Sequence, residues 1–286
     1  LLAPVAYQAL AHPGGERESA RGAAAADACL VSSTLASTPL EEIARASEGD
    51  KWFQLYFQPQ RATTLDLVRR AEAAGYRALV VTLDAAIQSP GRAARRAGFA
   101  LPAQVRAENL RDYPAPPQVA LSPDQSLILQ GMMREAPTWR DLDWLLEHTG
   151  LPVLVKGVLR PDDAQALRRA GVAGVVVSNH GGRALDGVPA SLAALPDIRR
   201  AVGDDYPLLL DSGIRAGSDV FAALALGADA VMVGRLPVYA LAVAGALGVA
   251  HLIRLLREEL EMCMALAGCA TLKDIDRSLL CEAPTC

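Results

Sequence analysis

The chain has 286 residues, which is enough for one large α/β domain or two small ones. Its apolar fraction of 51%, with few aromatic residues, is typical of a core-forming enzyme domain. The net charge of −4 at pH 7 argues against a nucleic-acid-binding protein, and the lack of an uninterrupted apolar stretch of about 18 residues argues against a membrane span.

Eight short apolar runs alternate with helical segments along the chain. Runs that are apolar at nearly every position are typical of parallel strands buried on both faces. In chain order they cover residues 1–7, 29–34, 52–57, 78–84, 152–158, 174–179, 207–212 and 230–235. They predict an α/β protein with the eight parallel strands of a (β/α)₈ TIM barrel. A doubly wound open sheet is the alternative, but its glycine-rich first turn is absent.

Capping residues mark where the helices between these strands begin and end. Thr38 is expected to cap a helix whose first residue is Pro39, and Pro161 is expected to open a helix that Gly171 closes. The connection after the fourth predicted strand is longer than the others, with a weak helical period over residues 101–137. A loop of this length either covers a site or is an insertion without a role.

The five cysteines are odd in number and lack the paired spacing of a metal site. We therefore expect reduced thiols, no bound metal and a cytoplasmic location. The chain begins with an apolar segment that contains Pro4 and has no charged region before it, so it is not a signal peptide. We expect that a further segment precedes it.

The turn after the sixth predicted strand is the most informative segment. Three valines lead into Ser-Asn-His-Gly-Gly-Arg at 178–183. His180 can take a proton near neutral pH, and Arg183 can bind a carboxylate through two hydrogen bonds. The other three histidines lack such neighbours and are interpreted as structural. The turn therefore predicts a site that acts on a small acid.

Polar residues also end the other predicted strands, where barrel enzymes carry their chemistry. Lys156 has three interpretations: a Schiff-base lysine, a charge beside an anionic cofactor, or a structural ion pair. Asp84 either orients His180 or caps the following loop. The last two loops either bind a phosphate through backbone amides or are tight turns with surface arginines, and their residues are Gly213, Arg215, Gly234 and Arg235.

These residues lie in blocks that resemble the FMN-dependent α-hydroxy acid oxidase family, which includes glycolate, lactate and hydroxymandelate oxidases and related dehydrogenases. The resemblance spans nearly the whole chain. Its blocks are Ala-Pro-Val-Ala at 3–6, Trp-Phe-Gln-Leu-Tyr at 52–56, Val-Thr-Leu-Asp at 81–84, Leu-Val-Lys-Gly at 154–157, Asp-Ser-Gly-Ile-Arg at 211–215 and Val-Gly-Arg at 233–235, besides the turn at 178–183. It implies a single FMN-binding barrel domain over residues 1–286 that lacks the family's N-terminal segment, and a homo-oligomer, by resemblance a tetramer.

The resemblance also implies roles for individual residues. His180 would be the catalytic base, Asp84 would steady it, and Arg183 and Tyr56 would bind the substrate. The residues implied to bind FMN are Pro4, Val5, Ala6, Ser32, Gln54, Thr82, Lys156, Ser178, Asp211, Ser212, Gly213, Arg215, Gly234 and Arg235. The implied reaction oxidises an L-2-hydroxy acid to the 2-oxo acid, with reduced FMN reoxidised by O2, giving H2O2, or by another acceptor.

This chain departs from the family pattern near the substrate. The family has a second carboxylate-binding arginine on the loop after the fourth strand, where this chain has Gly91. Arg92, displaced by one position, either substitutes for this arginine or leaves the substrate carboxylate more weakly bound. Ser212 replaces a glycine that is common in the family, and Thr34, with the long connection, is expected to shape the pocket for the substrate's side chain.

Three alternatives stay open from the sequence: another type of FMN barrel enzyme, a degenerate or truncated FMN-binding barrel with little turnover, and a Schiff-base lyase or aldolase that uses Lys156. The sequence does not name the hydroxy acid.

Overall fold

Seven parallel strands form one curled sheet in which neighbours along the chain are neighbours in the sheet. A computed structural model describes residues 1–87, 92–114 and 120–281, with the side chains at positions 92 and 93 outside the description. The strands are β1 Leu30–Ser33, β2 Lys51–Leu55, β3 Leu79–Thr82, β4 Val153–Val158, β5 Gly174–Val177, β6 Leu208–Asp211 and β7 Ala230–Met232. They correspond to predicted strands two to eight, and each is shorter than predicted.

The first predicted strand, over residues 1–7, is wrong as an extended strand. Leu2 forms isolated parallel bridges to Leu30 of β1 and to Val233 just after β7. Pro4 has no N–H to continue this pairing, and at Tyr7 (φ 53°) the chain turns into a short 3-10 helix. Residues 1 to 3 therefore join the two edges of the sheet: Leu2 bonds to the β1 side, and its neighbours Leu1 and Ala3 bond to Val233.

α-Helices follow or connect most of the strands. Within the described residues they are α1 Gly15–Ala25, α2 Leu40–Arg45, α3 Arg61–Ala73, α4 Arg92–Arg96, α5 Trp139–His148, α6 Pro161–Arg169, α7 Ser191–Val202, α8 Gly217–Ala225 and α9 Arg235–Ala267. As predicted, α6 begins at Pro161, and Gly171 follows its end with a φ of 88°. Thr38 does not cap α2, because its hydroxyl donates to Glu16 at 2.9 Å and Pro39 holds the N-cap position.

The connection between β3 and β4 has two differently packed parts. Asn109, only 1% exposed, anchors the first part: its Nδ2 donates to the carbonyls of Ser33 and Thr34, and its Oδ1 accepts the N–H of Leu40. The second part consists of a π-helical turn, Leu127–Gly131, and a 3-10 turn, Met132–Glu135, and none of the side chains in these turns is buried.

Two apolar layers explain why the strands are apolar at nearly every position. In β3, Leu79 and Val81 belong to the large cluster packed against the helices, whereas Val80 belongs to a second cluster. The second cluster draws on β1, on β3 to β7 and on the segment before β1, through Ala3, Val31, Ala78, Val80, Leu154, Val176, Leu209 and Met232. Side chains therefore fill the inside of the curled sheet, and the functional groups are left to the strand ends.

By length and composition, α9 is the one helix in the described part of the chain that could cross a membrane, with a mean hydropathy of 1.9. This test of mean hydropathy is less strict than the uninterrupted apolar stretch on which the expectation of no membrane span rests, and that expectation stays a prediction. The helix is broken at Ala244 and Gly245, and Oε2 of Glu18 on α1 accepts the N–H of Ala246 at 3.2 Å. At this break α9 contacts α1, and 22% of its most apolar window is buried.

The four described cysteines, at positions 29, 263, 269 and 281, are free thiols, as expected. Cys286 lies outside the described residues. Burial raises the pKa of the Cys29 thiol to about 12, so this thiol is inert at neutral pH.

Candidate active site

The carboxyl ends of the strands line one cleft of about 860 Å³. Parallel strands end at the same edge of a sheet, so residues far apart in the sequence meet there. The residues of the predicted site that line the cleft are Pro4, Val5, Ala6, Gln54, Tyr56, Thr82, Asp84, Lys156, His180, Arg183, Asp211, Ser212, Gly213, Arg215, Gly234 and Arg235. The structure therefore brings most of the predicted site together.

His180 lies on a left-handed turn that follows β5. His180, Gly181 and Gly182 have φ angles of 57°, 68° and 70°. A histidine rarely adopts this conformation, and it persists only where the surroundings fix it. Its ring Nδ1 lies 2.8 Å from Oδ1 of Asp84, which follows β3. Of the two interpretations of Asp84, the structure shows the pairing with His180, which leaves Nε2 free to face a substrate.

A glycine in β4 makes room for the Asp84 side chain. Gly157 has a φ of 105° and lies where the register of β4 shifts between Lys156 and Val158. A Cβ at position 157 would lie 2.5 Å from both Cβ and Cγ of Asp84. Any side chain there would displace Asp84 and with it the hydrogen bond to His180.

Tyr56 and Arg183 line the part of the cleft next to this pair. Burial raises the pKa of Tyr56 to about 12, and the Asp84 carboxylate adds to the rise while Arg183 opposes it. The phenol therefore stays protonated at neutral pH and can donate a hydrogen bond, while Arg183 supplies a positive charge for a carboxylate. The side chain of Arg92, predicted as a further substrate ligand, and Gly91 lie outside the described residues.

Lys156 and Asp211 form a buried ion pair on the cleft wall. The Lys156 Nζ lies 2.8 Å from Oδ2 of Asp211, and these side chains are 4% and 9% exposed. Burial acts to raise the pKa of Asp211, but the charge of Lys156 and the hydrogen bonds from Lys156 and Ser178 outweigh it, so this pKa lies below its usual range. The ion pair is thus present, and because Lys156 also lines the cleft, it is compatible with a positive charge beside a cofactor.

Two residues expected beside the flavin do not line the cleft. Ser32 is buried, and its neighbour Ser33 lines the cleft instead, because successive side chains of a strand point to opposite faces. Ser178 is fully buried behind the cleft wall, where its Oγ accepts a hydrogen bond from Lys156 at 2.9 Å and one from the N–H of His180 at 3.0 Å. It supports the site rather than facing the cleft.

Some apolar residues of the cleft wall were not predicted from the sequence, because they carry no functional group that would mark them. Thr34, expected to shape the pocket, is fully buried: its Oγ1 donates to the carbonyl of Gln54 and accepts the N–H of Tyr56. Leu35 lines the cleft in its place, and Met133 reaches it from the long connection. Strand alternation counted from Ser33 could have indicated Leu35, whereas no sequence signal pointed to Met133.

Three buried polar groups on the cleft wall have no hydrogen-bond partner among the described residues. They are Nε2 of Gln54, Oγ1 of Thr82 and Oδ2 of Asp84. Buried groups of this kind are costly when unpaired, so they indicate a ligand with its own donors and acceptors. Thr82 pairs in register with Lys156, which brings a positive charge to the same place.

Another part of the cleft is suited to a phosphate. Arg215 follows β6, and Arg235 is the first residue of α9, directly after Gly234. The first N–H groups of a helix have no partner within the helix and attract anions. Two guanidinium groups beside a helix N-terminus favour the phosphate interpretation over surface arginines on tight turns.

Comparison of the sequence with known proteins shows to which family this chain belongs. The family described as FMN-dependent dehydrogenase matches residues 1–282. The chain belongs to the FMN-dependent dehydrogenase family. An L-lactate oxidase of Alicycliphilus denitrificans is 61% identical over 286 residues, covering 100% of this chain and 78% of the relative. Glycolate oxidase 1 of Oryza sativa subsp. indica is 41% identical over 280 residues, covering 97% of this chain and 76% of the relative.

Solved structures of mandelate oxidase extend the likeness to the fold. A complex with (S)-2-phenylpropionate has a TM-score of 0.84 at 43% identity and covers 96% of this chain and 76% of that one. A variant that contains an FMN adduct has a TM-score of 0.85 at the same identity. FMN is thus the cofactor of this FMN-dependent dehydrogenase, and the unpaired groups of Gln54 and Thr82 fit a flavin ring with a polar edge.

Proposed function

We propose that this FMN-dependent dehydrogenase oxidises an L-2-hydroxy acid to the 2-oxo acid and uses O2 as the final electron acceptor, with H2O2 as the second product. One observation carries the proposal: the His180–Asp84 pair and Arg183 share one cleft with the unpaired polar groups of Gln54 and Thr82. A base, a carboxylate-binding cation and a flavin site are the three parts that this reaction needs. Relatives named L-lactate oxidase and glycolate oxidase support it.

On the substrate side, Arg183 binds the carboxylate and the Tyr56 phenol donates a hydrogen bond to the bound acid. The proton of the α-hydroxyl goes to Nε2 of His180. Nδ1 keeps its proton in the hydrogen bond to Asp84, whose negative charge stabilises the imidazolium that forms. Bound FMN would supply an acceptor for the hydrogen of the α-carbon together with its bonding electron pair, a hydride equivalent that no side chain can accept.

On the flavin side, Gln54, Thr82 and Lys156 hold the polar edge of the ring, with Ser33 in the place first expected for Ser32. Arg215 and Arg235 hold the phosphate, together with backbone N–H groups at Gly213 and Gly234. The segment Pro4 to Ala6 and Asp211 complete the cofactor-binding wall.

The Schiff-base alternative is disfavoured by the contacts of Lys156. An amine in an ion pair with Asp211, and donating to Ser178, is engaged as a cation rather than as a free nucleophile. A flavin-binding barrel with little turnover is the alternative that the experiment below separates from the enzyme.

The test is anaerobic reduction of the flavin in the purified holoprotein. L-lactate, glycolate and (S)-mandelate are added in parallel, with D-lactate as the stereochemical control. At least one L-acid is expected to bleach the flavin absorbance, and admission of O2 is expected to restore it with one H2O2 per flavin. Bound flavin that none of these acids bleaches contradicts the proposal, and borohydride trapping of a substrate on Lys156 would support the lyase instead.

We also propose that the sheet is a closed (β/α)₈ barrel of one domain, with the segment at Leu2 as its eighth strand. The bridges from Leu2 to both edge strands support this proposal. A homo-tetramer stays a prediction, to be tested by light scattering on the purified protein. Exposed apolar side chains on α9, namely Tyr239, Val243 and Leu247, offer a surface for a second copy. The cytoplasmic location stays a prediction as well.

A further inference from the structure

Ser212 has a backbone conformation that a residue with a side chain rarely adopts. Its φ is 86°, in the left-handed region that favours glycine. The chain nevertheless has a serine at this position, directly after Asp211 at the end of β6. Strain of this kind persists where an interaction of the side chain or its surroundings offsets it, and it concentrates at functional sites.

The hydroxyl of Ser212 makes an interaction that glycine could not make. Its Oγ accepts the N–H of Gly181 at 2.9 Å, on the turn after β5. It also lies 3.5 Å from Oγ of Ser178, which accepts the N–H of His180. Two consecutive amides of the turn are therefore held by two serine hydroxyls, one from β5's own end and the other from the neighbouring strand β6.

This turn carries His180 and Arg183, so its orientation sets where both side chains point. The carbonyl of Gly181 accepts a hydrogen bond from Nη2 of Arg235 at 2.6 Å, which fixes the other side of the same residue. The His180 ring is fixed separately, by Asp84. A reacting group displaced by about 1 Å can lose a large part of its rate, so a looser turn would lower turnover without removing any group that touches the substrate.

We propose that Ser212 is a positioning residue, whose hydroxyl fixes the Gly181 amide and through it the aim of His180 and Arg183 at the substrate. This rests on the proposed function, because it requires His180 to act as the base. It gives the hydroxyl a role that is distinct from holding the cofactor, although Ser212 also lines the cleft.

Three substitutions separate the hydroxyl from the backbone strain. Ser212→Ala removes the hydroxyl and keeps the strained Cβ, whereas Ser212→Gly removes both. Ser212→Asn supplies a side-chain oxygen as a new acceptor, and asparagine tolerates the left-handed region better than most residues. The melting temperature and the FMN dissociation constant are measured on each variant, together with the rate constant of anaerobic flavin reduction at saturating substrate.

We expect the reduction rate constant to fall about 3- to 10-fold in both Ser212→Ala and Ser212→Gly, the range of one net hydrogen bond, and to recover partly in Ser212→Asn. KM and the FMN dissociation constant should stay within about 2-fold, and Ser212→Gly should melt above Ser212→Ala. Amide exchange followed by mass spectrometry on the apoproteins should be faster over residues 179–183 in both variants that lack the acceptor.

Three results would overturn the proposal, and a fourth would reject the proposed function on which it rests. A rate constant that follows the melting temperature, with Ser212→Gly equal to wild type, would show that only the backbone matters. A raised FMN dissociation constant with an unchanged rate at saturating FMN would make Ser212 a cofactor ligand only. Wild-type flavin that no 2-hydroxy acid reduces would instead reject the proposed function, while unchanged exchange over 179–183 in Ser212→Ala would reject the role of Ser212 irrespective of turnover.

Discussion

The turn after β5 and the second part of the long connection both border the cleft, but they are held in place very differently. The turn has left-handed backbone, with amides bound by the hydroxyls of Ser178 and Ser212 and a ring bound by Asp84. In the second part of the connection, Leu127 and Leu129 are 63% and 67% exposed, and Met133 is the residue of the turns at 127–135 that lines the cleft. The cleft is therefore bordered by a turn with many fixed contacts, after β5, and by a loosely packed segment, the second part of the connection.

This difference separates two tasks. Proton transfer requires groups held to a fraction of an ångström, and buried polar contacts from several strands provide that. Selection of the substrate's side chain needs only apolar surface of the right shape, and a segment with few buried contacts can change without disturbing the chemistry. Substitutions in the two regions should therefore change different kinetic constants.

The largest effect is expected in the turn after β5, from His180→Ala. The variant should retain bound FMN, yet the anaerobic reduction rate constant should fall by about 10²- to 10⁴-fold, the contribution of a positioned base. Stopped-flow absorbance measures it, and His251→Ala on the exposed side of α9 serves as the control. A loss of less than tenfold would remove His180 from the role of base.

Next in size is Arg235→Glu, which places a carboxylate where the phosphate is proposed to bind. The FMN dissociation constant should rise about 10- to 100-fold, since hydrogen bonds to charged groups contribute about 1.5–3 kcal/mol. Fluorescence titration of the apoprotein measures it. Arg200→Glu reverses the charge of an exposed arginine on α7, paired with Asp197, and should change nothing. Full flavin occupancy in the purified Arg235→Glu protein would place the phosphate elsewhere.

A smaller effect is expected from Tyr56→Phe, which removes one hydrogen bond to the substrate. The value of kcat/KM should fall about 5- to 10-fold. Because the pKa of Tyr56 is raised to about 12, its phenol is protonated throughout the range from pH 6 to 10, and its hydrogen bond is lost only as the pH rises towards that value. The ratio of wild type to variant should therefore be constant across this range. A ratio that grows with pH there would indicate an ionised phenol acting as a base.

The smallest effect belongs to the loosely packed segment. Met133→Ala should raise kcat/KM for (S)-mandelate relative to L-lactate about 2- to 5-fold, less than in an enclosed pocket, because Met133 is partly exposed. Met132→Ala is the matched control, since Met132 is its exposed neighbour and does not line the cleft. The rate constant of flavin reduction at saturating L-lactate should stay unchanged in both, and equal effects of the two variants would deny Met133 any part in selection.

The parts of this molecule that follow short-range rules were predictable from sequence. Strands β1 to β7 were located because continuous apolar runs indicate double-sided burial, and the turn at His180 was recognised by its chemistry. The pairing with Asp84 was one of two stated interpretations, since a long-range contact of 96 residues cannot be read from local pattern. The pairing could still be proposed from the predicted parallel topology, because parallel strands end at the same edge of a sheet.

The failures have physical reasons as well. A strand was predicted over residues 1–7 from hydrophobicity, although Pro4 interrupts its hydrogen bonding. Ser32 was chosen over Ser33 because a strand with two adjacent serines does not reveal which of them faces the cleft. The break of α9 involves Glu18 of a helix distant in the sequence. The position of Met133 depends on how the connection folds back onto the cleft. Neither feature is therefore encoded in a local sequence pattern.

Gly157 shows that an enzyme can depend on a position that has no side chain. The position has no functional group, yet a single added carbon would occupy the space of the Asp84 carboxylate. A search for important residues by chemical type would pass over it, and a stability screen would rank it with the other glycines of positive φ. Its substitution would nevertheless disturb proton transfer, because it would displace Asp84 from His180. Design of new specificity in this fold therefore has to treat the space that Gly157 leaves to Asp84 as part of the catalytic apparatus.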